Sequence, residues 1–138
     1  MNWYKQSQSS GPLYHVTHTN NVPVIVANGI NPLQKSQWCK GTGERYGKGE
    51  IFACDSLRDA IRWGSKMDWE FYGDMGTGNI SIVEFERGPQ EWEADESDPV
   101  SQLGNVGKWL KRLRRVRPEE IQKTYPITID MMKNITRQ

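Results

Sequence analysis

The most regular alternation of apolar and polar positions lies at residues 79–86. The segment reads NISIVEFE, and it alternates strictly except at Val83. A period of two is typical of a strand that has one face on a core and the other face in solvent. The pattern therefore predicts a half-solvated strand over residues 79–86.

Three shorter segments also have the composition of strands. Residues 13–18 combine β-branched and aromatic side chains, and residues 50–54 and 125–129 do the same. Such side chains pack well on a pleated sheet and are enriched in strands. These segments predict further strands near the start, the middle and the end of the chain.

Two helices are predicted between these strands. Each follows residues whose side chains can cap a helix, namely Asn20 or Asn21 for the first and Asp55 or Ser56 for the second. In the first helix Pro23 suits the first turn and Gly29 is a typical end. In the second, apolar residues recur at helical spacing between Leu57 and Gly64. Strands and helices mixed in this way predict an α+β fold.

Charge is segregated along the second half of the chain, although the net charge is only +1. Residues 84–98 contain seven acids and one base, whereas residues 108–117 contain six bases and no acid. The bases of 108–117 interleave with apolar residues at helical spacing, which predicts a helix with one packed face and one basic face. The basic face fits an anionic partner, either a phosphate backbone or an acidic protein patch. The alternative is that the acidic segment neutralises it within the fold.

Length, apolar content and cysteine count limit the classes of protein to which the chain can belong. The chain has 138 residues, of which 36% are hydrophobic, so we expect a single domain over residues 13–138 after a polar tail at 1–12. No apolar run approaches the ~20 residues of a membrane span. Two cysteines, Cys39 and Cys54, exclude a disulfide scaffold and a four-cysteine zinc site. We expect a cytoplasmic protein with no metal and no membrane partner.

Two segments together resemble the ADP-ribosyltransferase superfamily. The first is LYHVT at 13–17, in which a strand carries a histidine that is followed two residues later by Ser or Thr. The second is GKGEIFACDSLRDA at 47–60, which is similar to the glycine-rich loop, strand and helix of poly(ADP-ribose) polymerase catalytic domains. The first half is also similar to toxin-type transferases that modify DNA. The resemblance covers residues 13–64 by motif and residues 79–130 by element order.

The resemblance implies a small fold of two short, packed, mostly antiparallel sheets with flanking helices around an NAD cleft. His15 would hydrogen-bond the adenosine ribose, while Thr17 and the backbone of Val16 would hold the nicotinamide amide. The alternative for His15 is a core histidine whose ring bonds a nearby carbonyl. His18 is expected at the surface.

The same resemblance suggests a wall of the nicotinamide pocket. Polymerases stack an aromatic residue on nicotinamide two positions beyond the alanine of the second motif, but this chain has Arg62 there, next to Trp63. Trp63 or Phe52 would then supply the stacking surface, and plain core packing is the alternative for both.

Lys48, with Arg45, would contact the pyrophosphate, or the loop that carries them is simply solvated.

The superfamily also places an acidic residue at the front of a late strand. Glu119 and Glu120 precede the strand predicted at 125–129, and Glu84 and Asp95 are weaker candidates. A carboxylate there would stabilise the oxocarbenium-like state as nicotinamide leaves. An ordinary capping role is the alternative for each acid.

The expected function is NAD-dependent mono-ADP-ribosyl transfer, a glycosyl transfer that releases nicotinamide. The expected acceptor is a macromolecule, either a protein or a nucleic acid. The alternative is a non-enzymatic binding or inhibitory protein on the same scaffold, of the kind that a virus or mobile element uses against a host. Such a protein would contact a protein or nucleic-acid complex instead of modifying it.

Overall fold

Strands and helices are mixed along the chain. The structure, a computed structural model, describes residues 11–31, 51–87, 92–94, 107, 109–112 and 115–136. The strands are β1 (Pro12–His18), β2 (Ile51–Cys54), β3 (Thr77–Glu86), β4 (Glu93–Ala94), β5 (Trp109–Arg112) and β6 (Ile121–Thr128). The α-helices are α1 (Val22–Asn28), α2 (Leu57–Tyr72) and α3 (Ile129–Thr136), and 3-10 turns span Thr19–Asn21 and Pro118–Glu120. This order confirms the α+β class.

The strands form one antiparallel sheet in the order β4-β5-β2-β1-β3-β6. β1 lies near the middle of the sheet because both β2 and β3 pair with it. β2 and β3 are therefore parallel to each other, and α2 connects them across one face of the sheet. The described strands all join this sheet, so the expected pair of packed sheets is not confirmed.

Each face of the sheet carries its own apolar cluster. On the first face, which α1 covers, the cluster contains Leu13, Ile25, Ile30, Ile51, Ala53, Val83, Phe85, Leu110 and Val116. On the second face, which α2 covers and α3 packs against, it contains Val16, Cys54, Ala60, Ile61, Ile80, Ile82 and Ile127. We call these the α1 face and the α2 face. Burial of both apolar sets stabilises the sheet from both sides.

β3 differs from its predicted form because both of its faces are covered. Ile80 and Ile82 lie on the α2 face, whereas Val83 and Phe85 lie on the α1 face. All four side chains are fully buried. The expectation of a half-solvated strand was therefore wrong, and the interruption at Val83 reflects a second core.

Capping residues define both ends of helix α2. The Ser56 hydroxyl accepts a hydrogen bond from the Asp59 N–H at 3.3 Å, which fixes Ser56 as the N-cap. Gly73 ends the helix in the left-handed conformation, with φ of 75°. Gly64 faces the sheet, where an added Cβ would lie 3.3 Å from Val16 Cγ1. The helix therefore sits close against β1.

The segment predicted as a basic helix contains a strand instead. Trp109–Arg112 forms β5, which pairs with all four residues of β2, and Val116 forms an isolated bridge with Ile30. Leu110 is buried on the α1 face, while Trp109 packs against the α2 face. A period of two therefore replaces the helical spacing, and the anionic partner stays a prediction.

Two further expectations differ from the structure. β6 begins at Ile121, and Ile129, predicted to end that strand, begins α3 instead. His18, expected at the surface, is only 7% exposed, because its ring packs edge-on against Phe71 and Tyr72. The glycine-rich part of the second motif, at residues 47–50, lies outside the described residues.

Candidate functional site at the opening between two strands

β1 and β2 separate soon after they meet. Tyr14 and Cys54 form the one register pair between them in the described chain, whereas β1 pairs with β3 along its whole length. In an antiparallel strand, alternate residues direct their N–H and C=O groups to each neighbour. Beyond Tyr14, β1 therefore directs backbone groups toward β2 without a residue in register among those that the structure describes. We call this gap the opening.

His15 lies at the opening and bonds across it. Its Nδ1 is 2.8 Å from the carbonyl oxygen of Phe52. Because a carbonyl only accepts, Nδ1 carries the hydrogen and Nε2 holds a lone pair. Nε2 has no hydrogen-bond partner among the residues that the structure describes. The carbonyl contact expected of a core histidine is therefore present, and it leaves an acceptor on the other ring nitrogen.

Burial keeps the His15 ring neutral. Desolvation lowers the pKa of His15 below its ordinary value of 6.5, and the bond to Phe52 only partly opposes this shift. At pH 7 the ring is therefore neutral, with a fixed tautomer. A neutral ring of this tautomer accepts a hydrogen bond from a hydroxyl group but does not attract an anion.

The two partners in this bond project their side chains to opposite faces. His15 lies opposite Val83 of β3, which belongs to the α1-face cluster, so the imidazole lies on the α1 face. Phe52 alternates with Ile51 and Ala53 of that cluster, so its ring lies on the α2 face. At the opening, the backbone carbonyl of Phe52 therefore bonds a side chain of the α1 face, while its ring lies on the α2 face.

Thr17 and Val16 follow the same alternation. Thr17 lies opposite Ser81, and both are buried. The Thr17 hydroxyl oxygen accepts a hydrogen bond from Asn21 Nδ2 at 3.2 Å, so its own hydrogen remains a donor. Val16 belongs to the α2-face cluster. His15, Thr17 and Ser81 consequently form a polar row on the α1 face beside the opening.

The α2 residues predicted to line the pocket lie on the other face. Trp63 is half-buried and packs edge-to-face against Trp109, with ring centroids 6.0 Å apart, and Arg62 is exposed. Since α2 covers the face opposite the His15 side chain, the structure brings His15 to Phe52 but not to Trp63 or Arg62.

Glu119 and Glu120 lie in the 3-10 turn ahead of β6. Glu120 Oε2 accepts a hydrogen bond from the Arg117 N–H at 2.6 Å, and Glu119 Oε2 is 4.0 Å from Arg117 Nε at an exposed position. β6 pairs with β3, which separates it from β1. Glu120 therefore has the capping role, and both acids lie two strands from His15. Three other candidates fall outside the described residues: Arg45, Lys48 and Asp95.

Asp59 is a site residue that the sequence analysis did not single out. It is 1% exposed and accepts a hydrogen bond from the Gly107 N–H at 2.7 Å, just ahead of β5. An acid in the first turn of a helix is favoured by the helix dipole. Through this hydrogen bond, Asp59 connects the start of α2 to the segment just ahead of β5. In the sequence, Asp59 stands next to Ala60, on the side of the predicted helix that carries the apolar residues. An acid at such a position is the signal that could have revealed it.

Cys54 lies beside Asp59 and is not a nucleophile. Burial is the largest of the causes that raise the pKa of its thiol to about 12. The neighbouring Asp59 carboxyl, 3.9 Å from Sγ, acts in the same direction. Since the thiolate is the reactive form of cysteine, Cys54 stays inert in the folded protein.

Fold and site together define an α+β protein whose antiparallel sheet opens beside a neutral histidine. No protein-family model matches the chain, and no curated protein matches its sequence. In the described part of the chain, no group of three or more His, Cys, Asp or Glu side chains is arranged to hold a metal ion. No helix described there is long and apolar enough to span a membrane.

Proposed function

We propose that the opening binds NAD and that the protein is a mono-ADP-ribosyltransferase. The observation that carries the proposal is His15, whose Nδ1–H donates to Phe52 and whose Nε2, an acceptor, bonds none of the described residues at the opening. A ribose hydroxyl is a suitable donor to this nitrogen. The neutral ring suits a sugar better than a phosphate, so we assign it the adenosine ribose.

Recognition of nicotinamide follows from the strand beyond His15. A carboxamide offers a donor and an acceptor together, as a peptide group does, and it can pair with the side of a strand whose backbone groups face no paired residue. β1 offers such groups around Val16, and the Thr17 hydroxyl supplies a donor beside them. The ring of Phe52 lies on the α2 face at the same gap, and a nicotinamide ring that reaches through the gap to that face would stack on it.

The proposed reaction exchanges one bond at the anomeric carbon of the nicotinamide ribose. The bond to nicotinamide breaks and nicotinamide leaves as a neutral molecule. A bond forms to a nucleophile of a protein or nucleic acid, which gives up its proton. An acid near the sugar would stabilise the cationic state between these events.

A non-enzymatic binding protein is the second candidate, and the position of the predicted acids favours it. Glu119 and Glu120 lie two strands from His15, and the Glu120 carboxylate already accepts a hydrogen bond from the Arg117 N–H. A binder on this scaffold would hold NAD or a partner without releasing nicotinamide.

Titration with NAD and measurement of released nicotinamide test the proposal. His15→Gln removes the imidazole acceptor, so we expect NAD affinity to fall at least about fivefold. His18→Gln is the matched control, because His18 lies on the same strand but bonds Tyr72. Melting curves of both variants exclude unfolding as the cause.

The outcomes separate the two candidates. Binding that depends on His15, together with nicotinamide release, supports the transferase, and loss of release in Glu119→Gln or Glu120→Gln would identify its acid. Binding without release, also in the presence of cell extract as a source of acceptor, supports the binder. If the wild type does not bind NAD, or if His15→Gln binds it equally well, the proposal is wrong.

A further inference from the structure

A second cluster of polar and aromatic side chains lies on the α2 face. It follows a row of residues in register across five strands: Trp109, Cys54, Tyr14, Glu84 and Lys123. Directly opposed side chains on neighbouring strands have Cβ atoms about 4.5–5.5 Å apart. Glu84 therefore lies beside Tyr14 on one strand and beside Lys123 on the other.

Glu84 is the centre of this cluster. Its side chain is only 14% exposed, yet its polar contacts with the described residues are long: the Tyr125 hydroxyl lies at 3.5 Å and Lys123 Nζ at 3.9 Å. A carboxylate has about four acceptor sites, and strong O–H···O bonds are about 2.5–3.0 Å long. Toward the residues that the structure describes, Glu84 therefore keeps unused acceptor capacity in a mostly desolvated position.

Two tyrosines border the carboxylate. Burial, and after it the charge of Glu84, raises the pKa of both Tyr14 and Tyr125. Both phenols therefore stay neutral at physiological pH. Tyr125 directs its hydroxyl group to Glu84 and its ring to the Lys123 ammonium, and neither tyrosine adds negative charge beside Glu84.

Lys123 shows what kind of group this surface accommodates. Its ammonium lies 5.7 Å from the centre of the Tyr125 ring, and its side chain is 62% exposed. A cation over an aromatic face beside a carboxylate is a common way to bind organic cations. Because Lys123 is mostly exposed and its ion pair is long, a second cation can displace it.

We propose that Glu84, Tyr14 and Tyr125 bind a cationic side chain of a partner protein in competition with Lys123. Arginine and lysine are the two sources of such a group. A phosphate would be repelled by Glu84. A metal ion would find one carboxylate here, not a ligand set. The site lies on the face opposite the His15 imidazole and includes none of the residues to which NAD binding is assigned, so the proposal does not depend on NAD.

NMR titration with short peptides, without NAD, tests this site. The probes are acetylated and amidated tri-arginine and tri-lysine, with tri-citrulline as the neutral control for arginine. We expect both cationic peptides to shift the signals of Tyr14, Glu84 and Tyr125, and tri-citrulline to leave them unchanged. The tighter of the two cationic peptides identifies the side chain that the site prefers.

Variants assign the binding to Glu84. Glu84→Gln should weaken the cationic peptides by about tenfold or more, because it removes a charge-assisted contact. Glu86→Gln is the matched control, since Glu86 lies two residues further on the same strand and is exposed. Lys123→Gln should strengthen binding, because it removes the internal competitor.

Tyr125→Leu provides a second arm if Glu84→Gln does not fold. It removes the ring face while Glu84 remains, and it should also weaken the cationic peptides. The proposal is overturned if neither cationic peptide shifts these signals in the wild type and in Lys123→Gln. It is also overturned if Glu84→Gln, or in its place Tyr125→Leu, binds as tightly as the wild type.

Discussion

The two histidines of β1 show how strongly position along one strand sets the chemistry of a side chain. His15 bonds a backbone carbonyl at the opening. His18 lies three residues further on, where its Nδ1 is 2.8 Å from the Tyr72 hydroxyl and its ring contacts Phe71. Both rings are neutral at pH 7, since burial lowers the pKa of each below 6.5.

This burial predicts that the protein loses stability in mild acid. On unfolding, each histidine returns to its ordinary pKa of 6.5, so the unfolded chain binds more protons below that pH. Stability is therefore fully present above about pH 6.5 and falls as pH decreases through this value, by at most about 1.4 kcal/mol per pH unit for each histidine. Urea unfolding between about pH 5 and 8 measures this slope.

His18→Gln identifies the share that belongs to His18. The variant should be less stable at neutral pH, because the contact with Tyr72 changes, but its stability should depend less on pH. His15 supplies the remaining slope. A wild-type slope retained in full by His18→Gln would contradict the assignment.

Single residues were predicted where their role is local. Ser56 could be identified as a cap from the residues that follow it. The bond from His15 to Phe52 joins residues 37 positions apart, and no local pattern shows it. For His15 the sequence allowed either a ligand contact or a bond to a backbone carbonyl, and for Glu120 either a catalytic role or a capping role. Only the tertiary structure shows that His15 bonds the Phe52 carbonyl and that Glu120 caps the turn at Arg117.

At the scale of elements, the end of α1 depends on a glycine. Gly29 has φ of 81°, and a Cβ added there would strike the carbonyl oxygen of Val116. That carbonyl accepts the Ile30 N–H in the bridge between the two segments. Gly29→Ala should therefore lower the free energy of unfolding by at least about 2 kcal/mol, as measured by urea unfolding.

Gly73→Ala is the matched comparison for this substitution. Gly73 also has positive φ, at 75°, but no atom lies within 4 Å of the added Cβ. We expect a loss of only about 1 kcal/mol from backbone strain alone. Equal losses in the two variants would mean that the contact with Val116 contributes nothing.

Elements with strong local signals were predicted, and those set by tertiary pairing were not. Capping residues and periodicity identified α1 and α2, and composition identified β1 and β2. β5 has helical spacing in its sequence, but pairing with β2 along all four residues makes it a strand. α3 was missed because Ile127 and Ile129, which look alike in sequence, belong to a strand and a helix respectively.

At the scale of the whole molecule, β3 is well protected from solvent. It pairs with β1 on one side and β6 on the other, and apolar clusters cover both of its faces. Its amides should exchange with solvent only on global unfolding. Those of β5, whose other described neighbour is the two-residue β4, should exchange faster. Hydrogen exchange measured by NMR tests this order, and equal rates in β3 and β5 would contradict it.

The arrangement of strands was beyond prediction for a physical reason. Sheet order depends on which distant segments pair, and β1 pairs with strands that follow it by very different intervals. The sequence predicted the α+β class but could not fix one sheet or two. Nor could it show that β1 and β2 part after Tyr14, which is the feature that creates the candidate site.

β6 also limits how this protein can associate with copies of itself. An uncovered β3 would offer ten residues rich in isoleucine, valine and phenylalanine, free of proline, which is a ready template for strand addition and fibril growth. β6 occupies that position and exposes Pro126 and Lys123, two residue types that discourage a further strand. As the described strand that covers the edge of β3, β6 thus protects β3 from pairing between molecules, and we expect variants that destabilise β6 to aggregate more readily.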